Sequence, residues 1–443
     1  MKNNSILRPG RIAAAGCFLL FFALSFSAFG AWAAPFLHVQ AGPALVKSAA
    51  AFSAGTLAVL LGIALGTLVF GRFYCAFFCP LGILQDLTGF LSRRQCAVLP
   101  DPGKLRYTVT GLACGALAGG SALFFLLFDP YSNAGRMAGA FLAGGFVPFA
   151  LIVLLAVWKK RLFCTGFCPV GTLLGLLGRW SLFRVQFTSK CVRCGLCVKS
   201  CPAGCIDLKN GRIDNERCLR CMNCLAVCRA GGITFSAGKA QTPSAPEEPS
   251  RREFLIRCGL LLAGAAAGFA LAKAGAGAFL RRSAARLKFL PPGAGNAARF
   301  AAKCTACQLC AANCPQKIIL PAPGGYGPVS VDLERNFCRF DCSRCVQVCP
   351  TGALLPLTLA EKQKTKIAEA KFEPKNCIVF QEGAPCGRCA AACPVHAIRL
   401  RKNGTPRPVD TQRCIGCGSC AKICPAEKKA MTIHVIPEQS RIA

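Results

Sequence analysis

Histidine is scarce in this sequence, and the motifs that hold organic cofactors are absent. The 443 residues contain three histidines, His38, His396 and His434, and no C-x-x-C-H motif, which excludes covalently bound c-type haem. No apolar segment carries paired histidines, so a haem-b quinol site lacks ligands. No glycine-rich loop follows a predicted strand, so flavin and NAD binding have no support. Each histidine is better explained as a surface or packing residue than as a ligand.

Acidic residues are also few, whereas hydrophobic residues and cysteines are abundant. Asp and Glu number 19 against 53 Lys and Arg, the formal net charge is +34, and 53% of the residues are hydrophobic. This composition excludes a disordered tail protein. Nucleic-acid binding does not explain the charge, because the basic residues lie on both sides of several apolar segments and alternate with cysteines. The 33 cysteines indicate a disulfide scaffold or metal clusters, and their spacing favours metal.

Four apolar segments are each long enough to cross a bilayer. They are Ile12 to Leu37, Ser48 to Gly71, Tyr107 to Phe128 and Met137 to Trp158. Basic residues number three before the first segment, five between the second and third, and sixteen in residues 159–252, whereas the two alternate loops have one each. By the positive-inside rule, the N-terminus and residues 159–252 are predicted to be cytoplasmic. Alternatively, the first segment is a signal peptide cleaved near Ala31-Trp32-Ala33.

A fifth apolar segment begins at Cys258 and is rich in Gly and Ala. Arg251 and Arg252 precede it, a pattern similar to a twin-arginine translocation signal inside the chain. The alternative is an ordinary fifth helix with basic flanking residues. Both interpretations place the roughly 160 residues that follow outside the cytoplasm. The twin-arginine interpretation explains how a domain with clusters inserted in the cytoplasm could cross already folded.

The first soluble block contains two cysteine runs with the C-x-x-C-x-x-C-x-x-x-C spacing of bacterial two-cluster ferredoxins. In such proteins the fourth cysteine of each run ligates the other cluster. The predicted ligand sets are Cys191, Cys194, Cys197 and Cys228 for one cluster, and Cys218, Cys221, Cys224 and Cys201 for the other. A zinc site would more usually show two pairs of cysteines without the third close thiol and the proline. Cys205 is left over and is predicted to be a small buried hydrophobic residue.

The second soluble block contains four such runs, each followed by proline, and therefore predicts four [4Fe–4S] clusters. The runs are Cys304, Cys307, Cys310 and Cys314; Cys338, Cys342, Cys345 and Cys349; Cys377, Cys386, Cys389 and Cys393; and Cys414, Cys417, Cys420 and Cys424. Two of them have a longer first gap. Either neighbouring runs exchange their fourth cysteines, or the first run pairs with the fourth and the second with the third.

A shorter cysteine motif occurs twice in the membrane region, just after the second and fourth apolar segments. The shared pattern is R-x-aromatic-C-x-x-F-C-P-x-G, starting at Arg72 and at Arg161, and it predicts an internal repeat. Together the motifs supply four thiols, Cys75, Cys79, Cys164 and Cys168. These could bind a seventh cluster or act as redox thiols. The alternative is a structural turn, because C-P and P-x-G also occur in ordinary helix-ending turns.

These motifs resemble a known family. Residues 1 to about 240, with four spans, two C-x-x-x-C-P motifs and a two-cluster ferredoxin, resemble the NapH/MauN membrane ferredoxins of periplasmic nitrate reductase and methylamine dehydrogenase systems. Residues 250–443, with twin arginines, the segment Phe289-Leu290-Pro291-Pro292-Gly293-Ala294 and four runs, resemble their NapG/MauM partners. The chain is therefore similar to a fusion of two subunits. The resemblance implies transfer of electrons from quinol to an extracytoplasmic redox protein.

The predicted fold is a membrane α-helical bundle of four spans plus a fifth anchor or translocation helix, with two small α+β ferredoxin-like modules. The predicted domains are a membrane domain at 1–180, a cytoplasmic ferredoxin at 181–240, a linker and signal-like helix at 241–285 and an extracytoplasmic polyferredoxin at 286–443. The predicted location is the cytoplasmic membrane, with lipid, quinol and an extracytoplasmic protein as partners and no nucleic acid. Two alternative functions are an assembly factor that reduces or activates a partner's metal site, and a redox sensor, for which no output module is found.

The net charge and the cysteine count are connected. An oxidised cluster with four thiolates carries about −2. Six clusters would lower the net charge of +34 to about +22. Much of the basic character therefore compensates predicted cluster charge.

Overall fold

The computed structural model describes residues 4–27, 30, 39–50, 54–91, 103–122, 127–139, 146–237, 251–285, 289–322, 327–402 and 404–442. The chain divides into two compact units, one formed by Met1–Leu24 with Pro35–Gly277 and the other by Ser25–Ala34 with Ala278–Ala443. The signal-peptide cleavage site suggested near Ala31-Trp32-Ala33, and His38, lie outside the described residues.

The part of the first unit that the sequence predicts to lie in the membrane, called the membrane region below, is built from helices of five to 21 residues. They are α1 (Asn4–Leu24), α2 (Ala41–Ala50), α3 (Ala54–Phe70), α4 (Phe73–Phe77), α5 (Pro80–Leu91), α6 (Gly103–Ala118), α7 (Pro130–Gly139), α8 (Phe146–Lys159), α9 (Leu162–Gly166) and α10 (Pro169–Gly178).

The internal repeat extends beyond the cysteine motifs. Helices α2, α3, α4 and α5 correspond in order to α7, α8, α9 and α10. The apolar helix of each repeat packs against the last helix of the other, α3 against α10 and α8 against α5. The two repeats are therefore interlocked, and the two cysteine motifs are held side by side.

Two of the described helices are long and apolar enough to cross a bilayer, over Leu7–Leu24 and Arg251–Ala274. Shorter apolar helices occur at Ala54–Phe70, Phe149–Trp158 and Pro169–Gly178. The four-span bundle therefore stays a prediction. Helix α7 was not predicted as a separate element; it is buried from Pro130 to Met137 and packs against α5.

The segment after the twin arginines forms one long helix, α13 (Arg251–Ala285), which packs closely on α6. A Cβ atom at Gly115 would lie 1.9 Å from the carbonyl oxygen of Ala265, and one at Gly268 would lie 2.3 Å from that of Leu112. Gly111 and Gly264 make equally close approaches. Both helices thus carry the G-x-x-x-G spacing that lets membrane helices touch through their backbones.

The ferredoxin module of the first unit is enclosed by one antiparallel strand pair. Strand β1 (Phe183–Phe187) pairs with β4 (Ile233–Ala237), so the two ends of the module meet. Between them lie α11 (Leu196–Ser200), the hairpin of β2 (Ile206–Asp207) and β3 (Arg212–Ile213), and α12 (Asn223–Val227).

The second unit contains short helices and three two-stranded antiparallel sheets, β5–β6, β7–β10 and β8–β9. Its helices are α14 (Ala297–Lys303), α15 (Leu309–Ala312), α16 (Arg344–Gln347), α17 (Leu359–Gln363), α18 (Ile378–Gln381), α19 (Arg388–Ala391) and α20 (Ser419–Ile423), with a 3₁₀ turn at Pro374–Asn376. Its strands are β5 (Ile319–Leu320), β6 (Ser330–Val331), β7 (Thr365–Lys366), β8 (Glu369–Phe372), β9 (Met431–His434) and β10 (Ser440–Arg441). The main core is formed by residues such as Phe300, Val331 and Leu354, and the cysteines of the first two runs border it.

Replacing Gly268 by Leu is expected to separate α13 from α6, because the new side chain would meet backbone atoms that cannot move aside. Overpacking of this kind costs about 1–3 kcal/mol, so we expect the melting temperature of the detergent-solubilised chain to fall by about 5 °C. Gly259→Leu on the same helix is the control, since nothing lies within 4 Å of that position. Equal melting temperatures for the two variants would contradict the backbone contact.

Candidate iron–sulfur sites

In four of the six ferredoxin-type runs, residues two and four positions after the first cysteine have positive φ. The pairs are Arg193 and Gly195, Arg220 and Met222, Ala306 and Gln308, and Gly416 and Gly418. Five of these eight residues are not glycine, although this conformation is costly for them. Successive turns of alternating hand direct backbone N–H groups into a concavity that suits an anion, as in many iron–sulfur sites. The two runs with a longer first gap lack this pattern.

A second recurring feature follows the last cysteine of most runs. Gly204, Gly231, Lys317, Gly352 and His396, each three residues after that cysteine, have positive φ. The chain then turns back so that backbone N–H groups donate to the cysteine sulfur. These bonds are Gly232 N to Cys228 Sγ (3.2 Å), Leu354 N to Cys349 Sγ (3.4 Å) and Ala397 N to Cys393 Sγ (3.3 Å). His396 is thus a turn residue, and N–H···S bonds of this kind stabilise thiolate ligands.

The 24 ferredoxin-type cysteines fall into six groups, named here sites A to F. Site A is Cys191, Cys194, Cys197 and Cys228; site B is Cys218, Cys221, Cys224 and Cys201; site C is Cys304, Cys307, Cys310 and Cys349; site D is Cys338, Cys342, Cys345 and Cys314; site E is Cys377, Cys386, Cys389 and Cys424; site F is Cys414, Cys417, Cys420 and Cys393.

The structure brings the members of each site together. The four cysteines of each of sites B, D, E and F line one shared cavity. At site C, the Cys310 thiol interacts electrostatically with those of Cys307, Cys304 and Cys349. At site A, Gly232 contacts Cys191 and donates to Cys228 Sγ. Each site thus combines three thiols of one run with the last thiol of another.

The arrangement resolves the pairing that spacing alone leaves open in the second unit. Cys314 of the first run lies with the second run, and Cys393 of the third lies with the fourth. Neighbouring runs therefore exchange their last cysteines. Cluster ligation by these groups stays a prediction, for which the geometry now specifies the sets.

The thiol groups of the described residues do not match a site for one metal ion. A tetrahedral metal site with metal–sulfur bonds of about 2.3 Å would place its thiolates about 3.8 Å apart. Among the described residues, no three His, Cys, Asp or Glu side chains come close enough to hold a single metal ion. The concave N–H groups and the cavities lined by four cysteines together fit [4Fe–4S] clusters.

Burial keeps several of these thiols protonated in the absence of metal. It raises the pKa of Cys420 to about 12, with a further contribution from the neighbouring Cys417 thiol. It also raises the pKa of Cys389 and of Cys417 to about 11. Because the ligand is the thiolate, cluster assembly at these sites must release protons.

Cys205 lies against the four cysteines of site B, which the spacing of the cysteine runs did not indicate. Its Sγ lies 3.5 Å from Cys201 Sγ, and it also hydrogen-bonds the Cys218 thiol, lowering the pKa of Cys218 to about 6. The residue is buried, as predicted, but it lines the cavity of the site. Its place after Cys201-Pro-Ala-Gly was the available signal, because the turn at Gly204 directs the next side chain back toward the thiols.

The two membrane motifs also meet, and their thiols form a further group, the membrane thiol site. Cys75, Cys79, Cys164 and Cys168 are all buried, and the thiol of Cys168 interacts electrostatically with the other three. The last cysteine of each motif also accepts a hydrogen bond at the start of a helix, from Gly82 N to Cys79 Sγ at 3.4 Å and from Gly171 N to Cys168 Sγ at 3.2 Å. The motif therefore shapes a turn and gathers four thiols at once.

The arginine that begins each motif donates a hydrogen bond to the backbone of the other motif. Arg72 donates to the carbonyl oxygen of Cys164 at 3.2 Å, and Arg161 donates to that of Cys75 at 3.0 Å. Both guanidinium groups are fully buried. Gly82 and Gly171 make room for them, since a Cβ atom at either would lie within 2.7 Å of a guanidinium nitrogen. Two buried positive charges thus flank the membrane thiol site.

The two repeats differ at Asp86 and the position equivalent to it. Asp86 of the first repeat forms a bidentate pair with Arg161 at 2.8 and 2.6 Å and also accepts from Arg11 at 2.7 Å. The equivalent residue of the second repeat is Gly175, and a Cβ atom there would lie 2.7 Å from the carbonyl oxygen of Glu216. The ferredoxin module approaches the membrane region through this gap.

The contact between the module and the membrane region is polar and buried. Arg72 donates to the Glu216 carbonyl at 3.3 Å, and the Glu216 carboxylate is bonded by Arg106 and Tyr107. Arg220, from within site B's own run, donates to the Phe70 carbonyl at 3.2 Å and to Ser181 Oγ at 2.8 Å. Site B is therefore the site of the module that faces the membrane thiol site.

Models of iron–sulfur domains match most of the cysteine-bearing segments. A 4Fe-4S binding domain model matches residues 52–95 and 141–188, which contain the two membrane motifs. A 4Fe-4S dicluster domain model matches residues 190–232 and 384–428, and a second dicluster model matches residues 303–354.

Curated relatives carry the same kind of domain. The methylamine utilization ferredoxin-type protein MauM of Methylobacillus flagellatus is 30% identical over 217 residues, 45% of this chain and 88% of its own. The chain belongs to the Nap/Mau family of ferredoxin-type proteins. Ferredoxin-type protein NapG of Escherichia coli K12 is 31% identical over 223 residues, 44% of this chain and 88% of its own.

The match to a third Nap/Mau relative covers a smaller share of that relative's length. The methylamine utilization ferredoxin-type protein MauN of Paracoccus denitrificans is 30% identical over 182 residues, 40% of this chain and 58% of its own. No solved structure matches the chain. The family resemblance predicted from the cysteine motifs is confirmed, whereas the fusion of two subunits stays a prediction.

The exchange of cysteines can be tested by combining serine substitutions. When Cys304, Cys307 and Cys310 are all replaced, site C is lost but Cys314 should still complete site D. In that background Cys349→Ser is expected to leave the iron content unchanged, whereas Cys314→Ser should remove about four further irons per chain. Iron and acid-labile sulfide analysis of the anaerobically purified chain measures both. The opposite pattern would mean that each run keeps its own fourth cysteine, and equal effects would contradict the exchange between neighbours.

Proposed function

We propose that this iron–sulfur electron-transfer protein is anchored in the cytoplasmic membrane and carries electrons from quinol to an extracytoplasmic redox protein. In this proposal sites A to F each hold a [4Fe–4S] cluster, and the membrane thiol site holds a seventh iron–sulfur cluster. When bound, the clusters supply one-electron redox chemistry, while the protein supplies their spacing and electrostatic surroundings.

The observation that carries this proposal is the position of the membrane thiol site. Arg161 interacts electrostatically with the Cys164 thiol of that site and with the Cys221 thiol of site B. Asp86, its bidentate partner, also interacts with Cys221. One guanidinium is thus within electrostatic range of both thiol groups, which suits electron exchange between a membrane site and the ferredoxin module.

Charge balance favours an anionic occupant of the membrane thiol site. Among the described residues, no carboxylate pairs with the fully buried Arg72, which contacts carbonyl oxygens and, at 3.9 Å, the Cys75 thiol. Asp86 offsets only one of the two charges of Arg161 and Arg11. Two positive charges are left over, and an unpaired buried charge is costly. A cluster with four thiolates carries about −2, whereas four neutral thiols or a disulfide would leave the arginines uncompensated.

In the second unit each of the four sites adjoins at least one other. Site C adjoins site D, because the Cys310 thiol interacts with that of Cys345. Site D adjoins site F, because Cys338 N donates to the carbonyl oxygen of Cys417 at 2.8 Å. Site F exchanges its last cysteine with site E. The order C–D–F–E therefore differs from the order of the runs along the sequence. It suits an electron relay in which electrons enter at one terminal site and leave at the other.

The apolar surface of the first unit supports a membrane location. Leu57, Leu61 and Leu65 of α3 are 46–61% exposed, and Leu154 and Trp158 of α8 are 66% and 62% exposed. Exposed apolar side chains concentrated on two helices of one unit are unusual in water. With the basic N-terminus and residues 159–252 in the cytoplasm, the second unit would lie outside, as the positive-inside rule predicts. In this arrangement α13 remains as a membrane anchor.

Removing thiols from the membrane thiol site tests the seventh cluster. The double substitution Cys75→Ser and Cys168→Ser is expected to lower the iron content if the site holds a cluster, with the signals of the ferredoxin-type clusters retained. Cys17→Ser with Cys114→Ser is the control, because these cysteines lie outside the seven thiol groups. Unchanged iron in the double variant would show that the four thiols act without metal.

Arg72→Gln is expected to lower the reduction potential of the membrane cluster, since removal of a buried positive charge disfavours the more negative reduced state. The expected decrease is about 60 mV or more, a tenfold change in a one-electron equilibrium. An EPR-monitored redox titration of the purified chain measures it. Arg179→Gln is the control, because Arg179 lies at the end of α10 and is partly exposed. An unchanged potential in Arg72→Gln would refute the charge-compensating role.

Quinol oxidation is tested by adding menaquinol or ubiquinol analogues anaerobically to the full chain in lipid nanodiscs. We expect the absorbance of the oxidised clusters to bleach and EPR signals of reduced clusters to appear. Clusters that remain oxidised with both quinols, even with the extracytoplasmic partner present, would rule out quinol as donor. An assembly factor would instead associate substoichiometrically with its partner enzyme and show no quinol-dependent turnover.

A further inference from the structure

The two sites of the ferredoxin module differ in their surroundings. All four cysteines of site B are buried, on the side of the module held by Arg220 and Glu216 against the membrane region. At site A only Cys197 is buried, and Cys194 is exposed. Site A is therefore the site of the module that opens to solvent.

The surface around site A is basic and partly apolar. Val192 and Leu196 are 70% and 48% exposed, and Lys190, Arg193 and Lys199 are exposed around them. We call these five residues the site A patch. The sequence contains no Asp or Glu between Phe187 and Ile206, so no carboxylate of this segment offsets the three positive charges.

We propose that the site A patch is a docking surface for an acidic, soluble electron-carrier protein, which exchanges one electron with the cluster held at site A. The chain would thereby exchange electrons with a cytoplasmic carrier, in addition to the proposed exchange with quinol and an extracytoplasmic protein. In the direction tested below, the carrier loses one electron, the site A cluster gains it, and no covalent bond is made or broken. The inference rests on the proposed function only in requiring a cluster at site A.

Charge and apolar surface together identify the occupant. Positive charges that ring a redox site steer a negatively charged partner and raise its association rate, with a steep dependence on salt. Val192 and Leu196 offer a small apolar contact next to Cys191 and Cys194, so a docked carrier would approach the cluster ligands directly. A small interface of this kind suits a carrier that must also dissociate quickly.

Anionic lipid is the competing occupant, because the module lies next to a membrane region. The patch, however, surrounds the site that faces away from the contact made by Glu216 and Arg220. A carrier protein therefore agrees better with the geometry than a lipid surface does.

The test uses the full chain, with its clusters oxidised, in nanodiscs of zwitterionic lipid. A reduced, strongly acidic plant-type [2Fe–2S] ferredoxin serves as the probe, and its oxidation is followed by anaerobic stopped-flow absorbance. Lys190→Glu with Lys199→Glu is expected to lower the second-order rate constant about tenfold or more at low salt, and the difference should shrink at high salt. Lys104→Glu with Lys209→Glu makes the same charge change at exposed positions outside the patch and should have little effect.

Two further measurements separate this inference from the proposed function. Iron content and the EPR signals of the clusters should be the same in both double variants, and reduction by quinol should persist in both. Equal rate constants for the two double variants would overturn the docking surface. Strong inhibition of the probe reaction in nanodiscs of anionic lipid, absent when the lysines are reversed, would also overturn it, because lipid would then be the occupant.

Discussion

The constraint on which the structure depends is that four thiolates from two segments must enclose one anionic group. In sites A to F the last cysteine always comes from another run, so no run completes a site alone. Loss of one run therefore damages two sites, and adjacent runs must fold together. Many of these cysteines border or belong to the apolar cores, so metal binding is expected to be coupled to core formation, as in other small metal-dependent domains.

Local features of the sites could be predicted from the sequence, whereas features set by chain topology could not. The spacing of Cys191, Cys194 and Cys197 is local, so three of the four ligands of each ferredoxin-type site follow directly from it. The exchange of Cys314 and Cys349 depends on how two runs pack, which spacing does not specify. Cys205 was missed for a similar reason, because a turn rather than a motif brings its thiol to site B.

In the membrane region, too, local features could be predicted from the sequence, whereas features set by packing could not. The repeat was predicted from two matching motifs, but its extension to α2 and α7 was not, because α7 is polar for a buried helix and carries Asn133 and Arg136. Its burial depends on partners elsewhere in the repeat. The G-x-x-x-G spacing of α6 and α13, by contrast, can be found in the sequence, and it explains why the signal-like segment packs as a structural helix.

Under the proposed function, the difference between Asp86 and Gly175 has a consequence for the route of the electrons. With two equivalent repeats, an electron on the membrane thiol site would have two equivalent pathways away from that site. It would have no preferred pathway. The Asp86 carboxylate occupies this position in the first repeat, whereas Gly175 in the second repeat leaves space for the Glu216 backbone. In that proposal a duplicated, nearly symmetric scaffold would become a junction with a single branch, and the absence of a side chain at Gly175 would determine where that branch leads.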